Sequence, residues 1–290
     1  MSKYWHLSAG KMKVFSLGLL IFSVLAVNAH AQGILGDAGD FAVLGGQSVT
    51  NTGATTLGGD LGVSPGSSLT GTGTITFSSG GIEPAFDGLS PSTAQSDALT
   101  AYDSMAALSG TNLTGTNLGG LILGAGVYNF SSSAQLTGSV ILNFGGASNE
   151  TIVIVIGSTL TTASGSSVSI IGGNSTDSVY WVVGSSATLG SSTSFEGNII
   201  ALTSDSLVTG AKDGCGSIIA LNGSVTLEGN TIDTGCSYYT PGTPGSPSPT
   251  PTPGPGTYTV PEGGSSLLYL CFSLLPIGTM WAFRFRRRSI

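Results

Sequence analysis

Charged side chains are scarce in this chain. Of its 290 residues, 15 are acidic and 8 are Lys or Arg, so the charged fraction is 8%, where soluble domains average about 25%. Gly is abundant, at 46 residues. Each Gly in a helix costs about 1 kcal/mol relative to Ala, which excludes a fold built from long helices. The mean hydropathy of +0.34 excludes ordinary disorder, which requires a low content of apolar residues.

Basic residues and histidine are nearly absent between the two ends of the chain. Both histidines, His6 and His30, precede residue 32, and all four arginines follow residue 283. Between residues 32 and 259, Lys212 is the single base against 14 acids, which gives a net charge of −13. A nucleic-acid partner requires a basic surface and is excluded. Catalytic triads and zinc sites that use His are also excluded, and we predict no metal and no cofactor.

Residues 1–31 have the three parts of a secretory signal peptide. A basic stretch ends at Lys13, an apolar run covers residues 14–27, and a small-x-small cleavage site, Ala-His-Ala, occupies residues 29–31. The alternative is an N-terminal membrane anchor, but the run is shorter than the roughly 20 residues that such an anchor needs. We therefore expect export, with signal peptidase as a partner.

The C-terminal end contains a linker followed by a second targeting segment. Residues 241–259 are rich in Pro and are expected to form an extended spacer that joins neither a sheet nor a helix. Residues 260–290 begin with Val260, Pro261, Glu262 and Gly263, continue with an apolar run at 267–283 and end in an Arg cluster. The run is just long enough to span a bilayer, with the basic cluster staying inside.

This order of motif, apolar run and Arg cluster resembles the PEP-CTERM class of bacterial sorting signals, with Gly263 standing where that class has a second Pro. The resemblance implies a processing protease as a partner and contact with a membrane through residues 267–283. A simple tail anchor is the alternative. In either case we expect the body to be displayed at, or released from, a bacterial cell surface.

The body of the chain, residues 32–240, repeats a pattern of short apolar strands separated by Gly, Ser, Thr and Asn. The segment at 127–136 matches 179–189, which matches 152–160 in outline, and 198–202 recurs at 217–221. A unit near 19 residues holds about three short strands with their turns. The body is therefore predicted to be one mainly β domain, a three-faced β-solenoid in which stacked coils bury each other's apolar sides.

One segment has helical rather than β periodicity. Ser90 is suited to be an N-cap and Pro91 to be the first helical residue. The residues that then share one face at helical spacing are Ala94, Ala98, Tyr102, Met105 and Leu108. We predict one long α-helix over about 92–108, packed along the solenoid, and we interpret its apolar stripe as packing.

Alternation along the strands separates inward from outward residues. In the stretch at 186–189, Ala187 and Leu189 are predicted to point inward, so Ser186 and Thr188 point outward. Matching strands give a flat face with two columns of small, mostly hydroxylated residues and no charge: the pairs Ser48/Thr50, Ser133/Gln135, Ser186/Thr188, Ser206/Val208 and Ser224/Thr226, with Thr159 from a shorter repeat. Coils stack about 4.8 Å apart, so these columns form a regular array.

The three cysteines fit an oxidising compartment. Cys271 lies in the apolar tail, which leaves Cys215 and Cys236, 21 residues apart, as a pair. The register places them in corresponding turns of the last coils, where a disulfide would clamp the C-terminal end of the solenoid. Two free buried thiols are the alternative.

Four stretches in order resemble one known family: LGDAGDFAVL at 35–44, GGDLGVSPG at 58–66, GVYNFSSSAQL at 126–136 and GSTLTTASGSS at 157–167. The similarity continues through 181–190 and 222–232, and it is to the microbial ice-binding (antifreeze) proteins. The resemblance implies a discontinuous β-solenoid with a flanking helix. It also implies a protein, expected to be monomeric, that adsorbs to the surface of ice crystals through a flat face and inhibits ice growth and recrystallisation without a cofactor.

Two other functions compete with this one. A cell-surface adhesin or carbohydrate-binding matrix protein could use a flat face, but the predicted face has no aromatic residue for stacking on sugars. A polysaccharide-cleaving enzyme would need converging acids, and the close pairs are Asp37/Asp40, Glu83/Asp87 and Asp97/Asp103. Because no Arg or His accompanies these pairs, we expect the protein not to be an enzyme.

Overall fold

Three parallel sheets form the body of the protein in a computed structural model that describes residues 33–236. Strand numbers follow the chain, whereas neighbours within a sheet follow the order in space. Sheet A contains, in spatial order, β4 (Asp60–Val63), β1 (Phe41–Gly45), β21 (Ile218–Ala220), β18 (Asn198–Ala201), β15 (Ser178–Val183), β12 (Thr151–Ile156), β9 (Gly126–Phe130) and β7 (Thr111–Asn112).

The other two sheets run alongside sheet A in the same coil order. Sheet B contains β5 (Ser68–Thr70), β2 (Ser48–Thr52), β22 (Ser224–Glu228), β19 (Asp205–Leu207), β16 (Ala187–Leu189), β13 (Leu160–Thr162) and β10 (Ala134–Leu136). Sheet C contains β6 (Ile75–Ser79), β3 (Thr55–Gly58), β23 (Thr231–Asp233), β20 (Lys212–Asp213), β17 (Ser194–Phe195), β14 (Ser167–Ile171), β11 (Ser139–Asn143) and β8 (Ile122–Gly124). One strand from each sheet makes one coil, except in the coil of β7 and β8, where an isolated bridge between Asn117 and Gln135 takes the place of a sheet B strand. This arrangement confirms the predicted three-faced β-solenoid.

The stacking order of the coils differs from their order in the chain. Strand β1 pairs with β4 on one side and with β21 on the other. The first coils along the chain therefore stack against the last coil along the chain. The α-helix α1 (Pro91–Ala106) follows the coil of β4 to β6 at one end of the stack and leads to the coil that starts with β7 at the other end. Its 16 residues span about 24 Å at 1.5 Å per residue, which is the length of about five coil spacings. The solenoid is therefore discontinuous, as the family resemblance implied.

The helix begins and packs close to the prediction of 92–108. Ser90 is the N-cap, with its Oγ accepting a hydrogen bond from the Thr93 N–H at 3.4 Å. Of the predicted stripe, Ala94, Ala98 and Met105 are buried, while Tyr102 and Leu108 are partly buried against the same cluster. The helix ends two residues earlier than predicted, at Ala106.

Two apolar cores hold these elements together. The larger fills the solenoid interior, where the rings of Trp181 and Phe195 lie 4.9 Å apart. The second lies between the outer face of sheet A and α1, where Val153, Tyr180 and Ile200 contact the helix cluster. Because sheet A is covered on both faces, its strands are apolar at nearly every position, as in the sequence TIVIVI of β12.

The predicted 19-residue repeat describes only part of the solenoid. Ile199 pairs with Ile218, 19 residues later, but Thr151 pairs with Ser178, 27 residues later, because the central coils have longer turns. The match of 127–136 with 179–189 was also wrong by one residue at its start. Val127 aligns through Val153 with Tyr180, since no insertion separates the two segments.

Cys215 and Cys236 form a disulfide, as predicted, with their Cα atoms 4.5 Å apart. The bond closes the coil made of β21, β22 and β23. That coil lies between the β18–β20 coil and the β1–β3 coil. The expectation that the bond clamps an end of the solenoid was therefore wrong, because the chain's last coil is an interior coil of the stack.

Several predicted segments fall outside the described residues. These are the signal peptide at 1–31, the linker at 241–259 and the sorting signal at 260–290, which includes Val260 to Gly263 and the apolar run at 267–283. Within residues 33–236, no helix is both long enough and apolar enough to cross a membrane.

Candidate functional site

Sheets B and C present open outer faces, whereas sheet A is covered by the helix. The outward residues of sheet B form two columns defined by the strand register. The first column contains Ser68, Ser48, Ser224, Ser204, Ser186, Thr159 and Ser133. The second column contains Thr70, Thr50, Thr226, Ser206, Thr188, Thr161 and Gln135. We call these two columns the hydroxyl face.

Most of the residues predicted for this face lie on it in the predicted columns. They are Ser48 and Thr50, Ser133 and Gln135, Thr159, Ser186 and Thr188, and Ser224 and Thr226. All are partly or fully exposed, while the residues between them, such as Ala187 and Val225, are buried. Neither column contains a charged residue.

The predicted pair Ser206/Val208 was misplaced by two positions. Ser206 aligns with Thr188 on one side and Thr226 on the other, so it belongs to the second column, and Ser204 supplies the first. Val208 lies beyond both columns, next to Glu228. A shift of two residues keeps the alternation of inward and outward side chains, so periodicity alone could not detect this error.

Four members of the face were missed by the sequence prediction: Ser68, Thr70, Thr161 and Ser204. Ser68 and Thr70 belong to the outermost coil, whose β5 is only three residues long and has a single apolar residue, the partly buried Leu69, between them. Thr161 follows Leu160 and pairs with Thr188, so the segment Leu-Thr-Thr at 160–162 carried a signal that could have placed it.

The two columns differ in the hydrogen bonds that their side chains make. In the first column, the Oγ atoms of Ser48 and Ser224 lie 2.7 Å apart, and Thr159 Oγ1 donates to Ser133 Oγ at 2.8 Å. These bonds run between adjacent coils and fix the hydroxyl orientation. Within residues 33–236, the second-column side chains have no such bonds. Their hydroxyl groups are therefore available to water or to a ligand.

A buried polar network supports the corner where sheet B meets sheet C. The Asn51 side-chain amide donates to the carbonyls of Gly53 and Gly71 at 3.1 and 3.2 Å, and Thr55 Oγ1 donates to Asn51 Oδ1 at 2.6 Å. The Asn230 N–H donates to the same Thr55 Oγ1 at 3.1 Å. Satisfied networks of this kind fix a single geometry, so the coils at this corner are held in register with one another.

Sheet C differs from sheet B in its charge. One outer column of sheet C contains the hydroxyl residues Ser194 and Thr231, but the exposed Lys212 lies between them. Glu196 follows directly after β17, and Asp233 ends β23. The second open face of the solenoid is thus interrupted by both signs of charge.

Two carboxyl groups are buried inside the solenoid. Asp205 lies between Ala187 and Val225 in the layer beneath the hydroxyl face, and neither of its side-chain oxygens has a hydrogen-bond partner. Asp213 accepts a hydrogen bond from the Cys215 N–H at 3.2 Å. Burial raises the pKa of both carboxyl groups well above the usual range.

Two acids from the close pairs of the sequence analysis, Asp97 and Glu83, accept hydrogen bonds that have structural roles. Asp97 Oδ2 accepts a hydrogen bond from the Asp37 N–H at 3.0 Å, joining α1 to the short 3-10 helix at Gly36–Asp40. The Glu83 carboxylate accepts from the N–H groups of Asp87 and Gly88, both at 3.1 Å. Each of these contacts shapes a turn or anchors the helix.

Asp60 brings a third acid to the turn at Glu83 and Asp87. Carboxylate oxygens of the three residues lie within 4.8 Å of one another. Burial, together with the neighbouring carboxylates, raises the pKa of Asp60 to about 6, although a hydrogen bond from the Gly81 N–H opposes the shift. This group lies at the end of the solenoid formed by β4 to β6, away from the middle of the hydroxyl face.

A discontinuous β-solenoid with a flanking helix and one uncharged hydroxyl face defines a class of protein that binds through a rigid surface. The Ice-binding-like family matches residues 43–233. An ice-binding protein from Nostoc sp. (strain HG1) is 44% identical over 283 residues, covering 94% of this chain and 95% of that protein. The chain belongs to the Ice-binding-like family.

Two solved structures resemble this fold, and their sequence identities to this chain are similar to that of the Nostoc protein. The ice-binding protein of the Antarctic ascomycete Antarctomyces psychrotrophicus is 36% identical, with a TM-score of 0.63, over 70% of this chain and 98% of that one. An ice-binding protein from an Antarctic biological consortium is 40% identical, with a TM-score of 0.61, over 69% and 90% of the two chains.

Proposed function

We propose that this protein adsorbs to ice crystals through the hydroxyl face of sheet B and thereby inhibits ice growth and recrystallisation. Family membership supports ice as the ligand. The observation that carries the assignment to sheet B is the pair of columns, seven coils long, that contain Ser, Thr and one Gln and no charge.

The other two sheets are less suited to contact a crystal. The outer surface of sheet A is buried under α1. Sheet C carries Lys212, Glu196 and Asp233 at or beside its strands, and each ionised group holds water that must be removed before the sheet can approach a flat solid. The two columns of sheet B are the remaining surface that is both open and uncharged.

The two columns supply complementary properties for this contact. The first column is fixed by hydrogen bonds between coils, such as Thr159 to Ser133. The second column, which is rich in Thr, offers methyl groups and unbonded hydroxyl groups at a spacing of about 4.8 Å. The χ1 angle of Thr is restricted by its branched Cβ, so the array stays ordered without a ligand. Such a surface can order water next to it, and adsorption then pins the advancing ice front.

Adsorption of this kind requires no chemical reaction, and we propose that the protein is not an enzyme. The carboxylates of Glu83, Asp87 and Asp97 accept hydrogen bonds from backbone N–H groups. Residues 33–236 contain neither His nor Arg to act with them.

We also propose that the protein acts outside the cytoplasm as a monomer. The signal-like segment at 1–31, the disulfide between Cys215 and Cys236 and the PEP-CTERM-like segment at 260–290 support export. Signal peptidase, a sorting protease and a membrane contact through residues 267–283 are the partners that this route requires.

The test measures thermal hysteresis and recrystallisation inhibition by the full-length protein and its Thr188→Tyr and Thr226→Tyr variants. Both substitutions place a ring in the second column, which holds the surface away from the crystal, so activity should be lost. Thr231→Tyr is the matched control, because Thr231 is exposed on sheet C, and it should keep full activity.

The possible outcomes separate function from location. A folded parent protein without activity would exclude ice binding. Full activity in both sheet B variants would move the ice-binding surface away from the hydroxyl face.

A further inference from the structure

Glu228 is the charged residue at an outward position of the sheet B strands. It lies two residues after Thr226 in β22, on the same side of the strand, and pairs with Thr52 of β2. Both residues are exposed. Glu228 therefore stands at the border of the hydroxyl face, where the sheet turns toward sheet C.

A third column, which we call the border column, follows the same register one step beyond the second column. Its members are Thr52, Glu228, Val208, Gly190, Ala163 and Thr137. The backbone ladder continues to this position in several coils, as the hydrogen bonds from the N–H groups of Val208 to Leu189 O at 2.9 Å and of Ala163 to Leu136 O at 2.8 Å show. Apart from Glu228, the border column contains small or methyl-bearing residues like those of the hydroxyl face.

The Glu228 carboxylate is held at this border. Its Oε2 accepts hydrogen bonds from the Thr209 N–H at 3.2 Å and from Thr209 Oγ1 at 2.9 Å. Thr209 directly follows Val208, so the carboxylate lies against the neighbouring coil rather than extending freely into water. An ionised group fixed in this position keeps its hydration and prevents close approach of a solid surface along the border column.

We infer that Glu228 limits the width of the ice-binding face to two columns, and that the border column would join the face if this carboxylate were absent. The inference rests on the proposed function of sheet B and assigns to Glu228 the role of a specificity-determining residue at its edge. With Thr at this position, Thr52, residue 228 and Val208 would present three adjacent uncharged, methyl-bearing side chains in line with the second column.

The experiment compares the full-length protein with its Glu228→Thr variant. The expected result is a rise in activity, measured as a lower concentration for half-maximal recrystallisation inhibition, of about twofold, equivalent to about 0.4 kcal/mol. Asp103→Thr makes the same change in net charge at an exposed position of α1 and should leave activity unchanged. An equal rise in Asp103→Thr would overturn the inference, because net charge and not the border would then be responsible.

A second variant tests whether the gain comes from the border column. Val208→Glu in the Glu228→Thr background returns a carboxylate to that column and should bring the activity back to that of the parent, for the same reason. If the parent and Thr231→Tyr are active but Glu228→Thr does not raise the activity, or Val208→Glu does not reverse the rise, the border inference is wrong and the function of the hydroxyl face stands. If the folded parent is inactive, both are wrong. Circular dichroism confirms that each variant is folded.

Discussion

At the scale of single residues, Asp205 contradicts the alternation that otherwise organises sheet B. It occupies an inward position, aligned with Ala187 and Val225, and both carboxyl oxygens lack partners. A buried polar group without hydrogen bonds costs about 1 to 3 kcal/mol. Asp205 is therefore expected to reduce stability without contributing to the surface above it.

Replacing Asp205 with Val is predicted to stabilise the protein by about 1 to 3 kcal/mol at pH 7, because the cost of burying the carboxyl group disappears. Urea unfolding provides the measurement. Thermal hysteresis should not change, since the side chain points away from the hydroxyl face. The exposed Asp103→Ala serves as the control and should shift the free energy of unfolding by less than about 0.5 kcal/mol. A less stable Asp205→Val variant would show that the carboxyl group is satisfied in solution.

Individual residues also show what the sequence could predict. Alternation identified the outward side chains around Ala187 and Leu189 correctly, because side chains on a strand repeat every two residues. It could not choose between Ser204/Ser206 and Ser206/Val208, which differ by two positions. The correct pair requires the acidic Asp205 to point inward, whereas the wrong pair places the apolar Leu207 inward. Because apolar residues usually occupy inward positions, the sequence favoured the wrong pair. Register of this kind depends on backbone pairing between coils, which a period of two does not encode.

At the scale of secondary-structure elements, local signals were sufficient for the helix. Ser90 and Pro91 mark its start, and the spacing of Ala94, Ala98 and Met105 identifies the buried side. The path of the helix along the stack was not encoded locally. It follows from the pairing of β1 with β21, a contact between residues about 175 positions apart that was expected only from the family resemblance.

The coil closed by Cys215 and Cys236 is predicted to depend on the disulfide for part of its stability. A crosslink over 21 residues restricts the unfolded chain and contributes about 3 kcal/mol. Reduction, or the Cys236→Ser variant, should lower the melting temperature in calorimetry. The hydroxyl face should still bind ice near 0 °C, because β22 keeps its neighbours β19 and β2. An unchanged melting temperature after complete reduction would contradict this role.

At the scale of the whole molecule, the scarcity of charge is unevenly distributed. Acids remain in turns, on the helix and along sheet C, which keeps the body negatively charged, while the two columns of sheet B have none. The same scarcity leaves several carboxyl groups without a basic partner. Burial raises the pKa of Glu196 to about 7 and that of Asp60 to about 6, and it raises the pKa of Asp205 and Asp213 well above their usual range.

These raised values predict that the protein is more stable in mild acid than in mild base. Above about pH 4 the unfolded chain releases protons that the folded protein retains, so stability falls as pH rises through the folded pKa values. The free energy of unfolding should therefore be higher at pH 5 than at pH 8, by at least about 1 kcal/mol. Urea unfolding at the two pH values tests this, with Glu196→Gln expected to reduce the difference. Greater stability at pH 8 would contradict the prediction.

The central claim is that ice contacts sheet B and not sheet C. One coil offers a matched test, because Thr161 of β13 and Ser169 of β14 are both exposed, on sheet B and sheet C respectively. The measurement is the thermal hysteresis of Thr161→Tyr relative to Ser169→Tyr in the full-length protein, at equal concentration and with matched circular dichroism spectra. We predict that Thr161→Tyr loses most of the activity and that Ser169→Tyr retains it. Loss in Ser169→Tyr with full activity in Thr161→Tyr would contradict the assignment.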